Sequence, residues 1–298
     1  MHPSSSAILG YILILFAALG FGSIGAISRY PMAEGVSAME CAFWRAAFGS
    51  LFFCIHGAVS GAWRVTPKQR FAFSLYGIPC VGLLFFVYMY GVQEAGAAAT
   101  SVLANTAPVW ITVWAYFVFK EAMTGSKALS IVLAIAGAGC IVVSGGGLPE
   151  KASLLGFAAG AACGFLFSLH ALVGKFYMNA NISPVSIYMH MLPVGAACLL
   201  PFVNFMPDKS LSAWACLAVM GFMSNWVAYL AFCGALRRLP ATRVSVCQTA
   251  SEPFLAAMLA FWWWGEIFRP VGWLGVVLVV VAVIIVLLSK ERKRAVKP

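Results

Sequence analysis

The chain has 298 residues, 62% of them hydrophobic and only 9% charged, where a soluble domain carries charge at roughly a quarter of its positions. So little polar surface excludes a water-soluble globule and leaves the bilayer as the solvent. The net charge of +10 does not indicate a nucleic-acid partner, because the basic residues sit in short gaps between apolar runs and not on one amphipathic face.

A helix needs ~20 apolar residues to cross the hydrocarbon core. In chain order the apolar runs predict ten spans, near 7–28, 38–60, 71–92, 97–119, 127–145, 153–175, 184–204, 211–236, 242–264 and 270–289. Met1–Ser6 holds no basic residue, and the run from Ala7 is too long for the apolar part of a signal peptide, so it reads as the first span. The connections are too short for a soluble domain, which puts the function among the helices. The nine cysteines fall almost wholly inside the runs, with no CxxC spacing and no histidine at a metal-ligand interval. They read as small buried hydrophobes, and neither a metal nor a cofactor is expected.

With the N-terminus placed in the cytoplasm, fourteen Lys and Arg fall on that side: Arg64, Lys68, Arg70, Lys120, Lys127, Lys175, Arg237, Arg238, Arg243 and the basic residues of the tail Lys290–Lys297. Four fall on the other side, Arg29, Lys151, Lys209 and Arg269, and Arg45 lies inside a span. An anionic inner surface and the membrane potential retain cations, so both termini are expected in the cytoplasm.

The two halves resemble each other at an offset of about 145 residues. Pro108 precedes Glu121 by thirteen residues, as Pro253 precedes Glu266. Thr100, Thr106 and Leu129 fall on Ser245, Ser251 and Leu274; Ala17–Phe21 falls on Ala161–Phe165, and Gly91 on Gly234. The division expected is 1–148 and 149–298, five spans each. An odd number of spans forces the second copy into the membrane upside down, and two inverted bundles can rock so that one central site faces either side. Gly156, Gly160, Gly164 and Ser168 on the sixth span, like Ala18, Gly22 and Ala26 on the first, form small-residue stripes that let another helix approach closely.

Several of these residues carry a resemblance: Gly20-Phe21-Gly22-Ser23, Trp44-Arg45-Ala46-Ala47-Phe48, Pro108…Glu121 and Glu252-Pro253…Glu266. In their order and spacing, over nearly the whole chain, they resemble the ten-span, two-repeat EamA-type branch of the drug/metabolite transporter superfamily. Within that branch the chain is most similar to the YddG-type exporters of aromatic amino acids. The resemblance implies an all-α integral membrane protein and a bacterial inner-membrane exporter with a central cavity lined by spans 1, 3, 4, 6, 8 and 9.

Ionisable groups at membrane depth cost on the order of 3 kcal/mol and are functional candidates. Glu252 shares a helix face with Ser245, Gln248 and Thr249. It reads either as cavity lining that meets a substrate amine or a proton, or as a group bonding backbone freed by Pro253. Arg45 reads as one half of a structural ion pair, with Glu40 as a possible partner, or as the receiver of a carboxylate. His170 is a donor near the cavity mouth or a satisfied interior histidine. Asn105, on one face with Ser101, Pro108 and Thr112, offers donor and acceptor to a zwitterion, and Ser251 and Gln248 add polar contacts. Phe21, Phe85, Tyr88, Phe167 and Trp226 are the candidates for aromatic walls. Pro108 and Pro253 are expected helix breaks. Trp63 and Trp262–Trp264 read as interfacial anchors.

This inventory suits a carrier of aromatic or other neutral amino acids. A multidrug cation exchanger relies on an acid in the first span, and residues 7–28 hold none. A nucleotide-sugar or phosphate-ester carrier needs clustered mid-membrane cations, and Arg45 stands alone. No intramembrane Asp pair, metal cluster or Ser/His/Asp arrangement supports an enzyme. No nucleotide-binding loop is present, so transport is secondary or downhill. Duplication supplies both halves in one chain, so a monomer is expected.

Overall fold

The computed structural model describes residues 5–145, 153–265 and 269–288. Lys151, Glu266, the basic tail Lys290–Lys297 and the expected division at 148/149 lie outside the described residues. The helices are α1 (Ser5–Ala33), α2 (Ala38–Ser60), α3 (Pro67–Gly77), α4 (Leu84–Ala104), α5 (Ala107–Val118), α6 (Gly125–Gly145), α7 (Leu154–Asn179), α8 (Pro184–Leu199), α9 (Leu211–Met220), α10 (Ala228–Arg238), α11 (Ala241–Trp264) and α12 (Pro270–Leu288). Two π-helical turns, Ile78–Leu83 and Gly221–Val227, join α3 to α4 and α9 to α10. Among the described residues seven helical stretches are long and apolar enough to cross a membrane, and three shorter apolar helices lie at 107–118, 125–141 and 270–286.

Local sequence fixes many of the starts. Ser37, Ser153 and Ser210 each accept from a backbone N–H of the following turn, and Thr66 forms a reciprocal capping box with Gln69 ahead of Pro67. That box starts the third span at residue 67, a turn earlier than hydropathy suggests. The third and fourth spans part where hydropathy suggests. A Cβ on Gly91 would lie 2.9 Å from Thr100 Cγ2, whereas nine residues of straight helix span about 13.5 Å. The chain therefore reverses within α4, and its last turns begin the fourth span. The helix then breaks at Asn105 and Thr106. Pro108 has no N–H to donate and its ring crowds the turn before it; Thr106 Oγ1 turns back to Leu103 O at 2.6 Å. The break expected at Pro253 is absent, since α11 runs through it, as packed membrane helices allow when neighbours accommodate the proline.

Helices at equivalent places in the two halves pack on each other in opposite directions. In α2 and α8, Ser186 Oγ donates to Ala62 O (2.7 Å) while Cys54 lies against Met189 O (3.7 Å). In α6 and α12, Ser144 accepts from Arg269 N (3.1 Å), and the crossing falls at Gly137 and Gly275, where a Cβ on either would meet the other's carbonyl at 2.8 and 2.6 Å. The remaining pairs are exchanged. The α1 helix packs on α9, α10 and α11, and α7 packs on α4 and α5. The fold is two inverted repeats of five spans. The small-residue stripe of α7 serves this exchange: Cβ atoms at Gly156, Gly160 and Gly164 would stand 2.7, 2.9 and 2.7 Å from Ala95, Leu103 and Thr106.

Candidate functional site

Arg45 projects from the second turn of α2 into the bundle. Its guanidinium lies over the Phe85 ring at 3.9 Å, and its carbonyl accepts from Asn225 Nδ2 at 2.9 Å. Asn225 belongs to the π turn between α9 and α10, so that turn fixes the height of Arg45 on α2. The pairing expected with Glu40 is not formed. Glu40 binds Lys209 at 2.6 Å and also accepts from Trp44 Nε1 (3.1 Å) and Met206 N (3.0 Å). Among the described residues Arg45 has no ion-pair partner, and its buried Nε makes no hydrogen bond.

Around Arg45, within electrostatic reach of it, stand Tyr88, Cys163, Tyr229 and Glu252. These come from α4, α7, α10 and α11. Glu252 Oε2 accepts from Gln248 Nε2 at 2.9 Å, a bond between neighbours one turn apart and not to backbone freed by Pro253. Gln248 and Ser245 are buried on the same face of α11, and Gln248 Oε1 and Ser245 Oγ lack partners among the described residues. Ser251 is half-buried beside Glu252.

Next to this polar centre lies an aromatic cluster. Phe21 meets Tyr229 at 5.4 Å and Phe167 at 6.4 Å, and Tyr229 stacks on Tyr188 at 4.7 Å. Such pairs contribute about 0.5–1.5 kcal/mol each beyond burial. His170 stacks on Phe167 and has both ring nitrogens engaged, Nδ1 with Cys80 O (3.2 Å) and Nε2 with Tyr188 OH (2.8 Å). It is a satisfied interior histidine.

The structure thus gathers Phe21, Arg45, Phe85, Tyr88, Phe167, His170, Gln248 and Glu252. Asn105 sits half-buried at the break in the fourth span, with Pro108 buried at the start of α5. Trp226 stands apart: its Nε1 donates to His56 Nδ1 (3.3 Å) and its ring meets Phe222 at 5.0 Å. Tyr229 takes the inward place instead, since the extra residue per turn of the π segment rotates the helix beyond it. Tyr188 and Asn225 were also missed, and no spacing in the sequence points to either.

A cavity of about 50 Å³ lies beside Arg45 toward the end where α1 finishes and α2 starts, bordered by Ser28, Met32, Ala38, Cys41 and Met220; it is far below the ~300 Å³ of a ligand pocket. A larger cavity of about 350 Å³ lies by Val118, Phe119, Phe176, Asn179 and Ala180, at the ends of α5 and α7. It holds no ionisable group, so the polar centre is the better site. Both ends of the bundle are tied. Where α1 begins, Glu121 accepts from Ala241 N (3.0 Å) and Thr242 Oγ1 (3.1 Å), and Lys175 donates to Leu239 O (2.9 Å). At the opposite end, Glu40–Lys209 is joined by Ser210 Oγ donating to Glu34 at 2.6 Å.

The profile of the EamA-like transporter family matches residues 8–143 and again residues 154–288. The chain is 22% identical to an uncharacterized transporter of Bacillus subtilis, YwfM, over 95% of each chain. A second from that organism, YetK, is 23% identical over 82% of this chain and 75% of its own. A protein of known crystal structure superposes with a TM-score of 0.79 at 17% identity, covering 95% of this chain and 96% of its own. At that identity the likeness speaks for the fold alone.

Proposed function

Because the chain belongs to the EamA-like transporter family, a family of membrane carriers of small substrates, we propose that it exports aromatic and other neutral amino acids, and similar metabolites, from the cytoplasm. The observation that carries this reading is the enclosed centre itself. One cation and one anion, Arg45 and Glu252, share it with Phe85, Tyr88 and Tyr229, a surrounding that suits a neutral molecule with an apolar aromatic body. The substrate reading agrees with the resemblance to YddG-type exporters. Alternating access between the repeats is the mechanism such inverted bundles afford. The end where α1 begins, rich in Lys and Arg, is assigned to the cytoplasm of a bacterial inner membrane, and a monomer contains both repeats.

Purified protein in liposomes loaded with labelled phenylalanine or methionine tests this, with and without a pH gradient. Efflux dependent on the protein is the expected outcome, and its response to the gradient separates proton antiport from downhill flow. Exchange of quaternary amines with no movement of any neutral amino acid overturns the reading in favour of multidrug efflux.

A further inference from the structure

We infer that Arg45 and Glu252 are the two poles of one binding site for the charged head of an α-amino acid, carboxylate to Arg45 and ammonium to Glu252. The inference rests on the amino-acid reading above and makes it specific.

Neither charge belongs to a salt bridge among the described residues. A guanidinium at membrane depth is costly unless paired, and no acid among the described residues forms an ion pair with this one. Glu40 is committed to Lys209, and Asn225 offers Arg45 only a bond to its main chain. The unmet hydrogen-bonding capacity includes a group for each end of a zwitterion. At Arg45 the orphan donor is Nε; Asn225 Oδ1, on the amide that clamps the Arg45 carbonyl, is a second orphan there and an acceptor. Beside Glu252 the orphan is an acceptor, Gln248 Oε1, whose amide nitrogen already serves Glu252. A carboxylate needs donors and an ammonium needs acceptors, so one molecule completes both sets. Phe85 beneath the guanidinium and the Asn225 clamp on the Arg45 carbonyl hold the cationic pole in place before anything binds. A ligand carrying a single charge leaves the other pole buried and uncompensated, which discriminates against it.

The test uses the whole protein in liposomes with labelled phenylalanine inside and unlabelled competitors outside: phenylalanine, phenethylamine (no carboxylate) and 3-phenylpropionate (no ammonium). Phenylalanine is expected to compete at least about tenfold better than either, the scale of one charged hydrogen-bonded contact. Arg45→Gln should abolish the advantage over phenethylamine and keep that over 3-phenylpropionate; Glu252→Gln should do the reverse. Equal competition by all three on the unaltered protein overturns the inference while leaving amino-acid export standing. So does an equal loss for all three in both variants, which is the mark of a purely structural pair. The competition on the unaltered protein decides even where a variant fails to insert. Movement of no amino acid at all refutes the functional reading, and the zwitterion site falls with it.

Discussion

Glu40 and Lys209 face each other at 2.6 Å with side chains 0% and 3% exposed. Removing one partner of such a pair strands the other, at a cost of about 3–5 kcal/mol, whereas removing both is far milder. Glu40→Leu should therefore lower the thermal stability of the detergent-solubilised protein sharply, and adding Lys209→Leu should recover much of the loss. Equal melting of the single and double variants would contradict the ion-pair account. Tyr188→Phe removes the hydroxyl from His170 Nε2 and should cost about 1–3 kcal/mol by leaving a buried ring nitrogen unpaired, read by the same melt. At this scale the sequence shows which groups are unusual but not which group each one meets. Arg45 and Glu252 stand out as ionisable residues in apolar runs. Glu40 looked like a partner for Arg45, but five residues turn a helix through about 500°, which leaves the two side chains on different faces. Lys209, the true partner, is far away in the chain and brought near only by the fold.

Among elements, the spans and their small-residue stripes were legible because apolar length and residue size are local properties. The two π turns were not. Each lies against the second span of the other repeat, Ile78–Leu83 on α8 and Gly221–Val227 on α2. The first holds Pro79, which removes one helical N–H and is a local cause; the second holds no proline and answers a tertiary contact that no local pattern encodes. Tyr229, beyond the second of these turns, packs on Phe21, while Trp226 within it meets His56 and Phe222. The reversal in α4 is different, since it falls between Gly91 and Thr100, where polar Gln93 and Glu94 separate the third apolar run from the fourth and hydropathy marks it. The crossing of α6 and α12 makes a clean element-scale prediction. Gly137→Val places a side chain against backbone atoms of Gly275 and Val279 at 2.8–2.9 Å, which have no rotamer to yield. The variant should lose about 1–3 kcal/mol, measured by heat denaturation, while Gly125→Val, whose Cβ meets nothing, should change little through packing.

For the whole molecule, inversion followed from parity: five spans per copy leave the second copy no other orientation. What parity does not reveal is how the copies interleave, with α1 and α7 each packed into the opposite half. Nor does it reveal how the ends are tied. The hydrogen bonds of Glu121 with Ala241 and Thr242 tie α5 to α11 at one end, and opening that end must part them. Spin labels on either side of this tie should separate when phenylalanine is added, and Glu121→Gln should shift the population toward the separated state. Distances that ignore both substrate and substitution would show that the tie is not part of the opening motion.

The meeting of Gly137 with Gly275 has one more consequence. Here the fifth span of each repeat lies on its counterpart with backbone against backbone, so trading the shapes of the halves maps the helix pair α6–α12 onto itself. A machine that works by such a trade needs a fulcrum, a point that stays still while the arms change places. The crossing of α6 and α12 meets that requirement through its geometry alone, and labels placed across it should report one unchanging distance through the cycle.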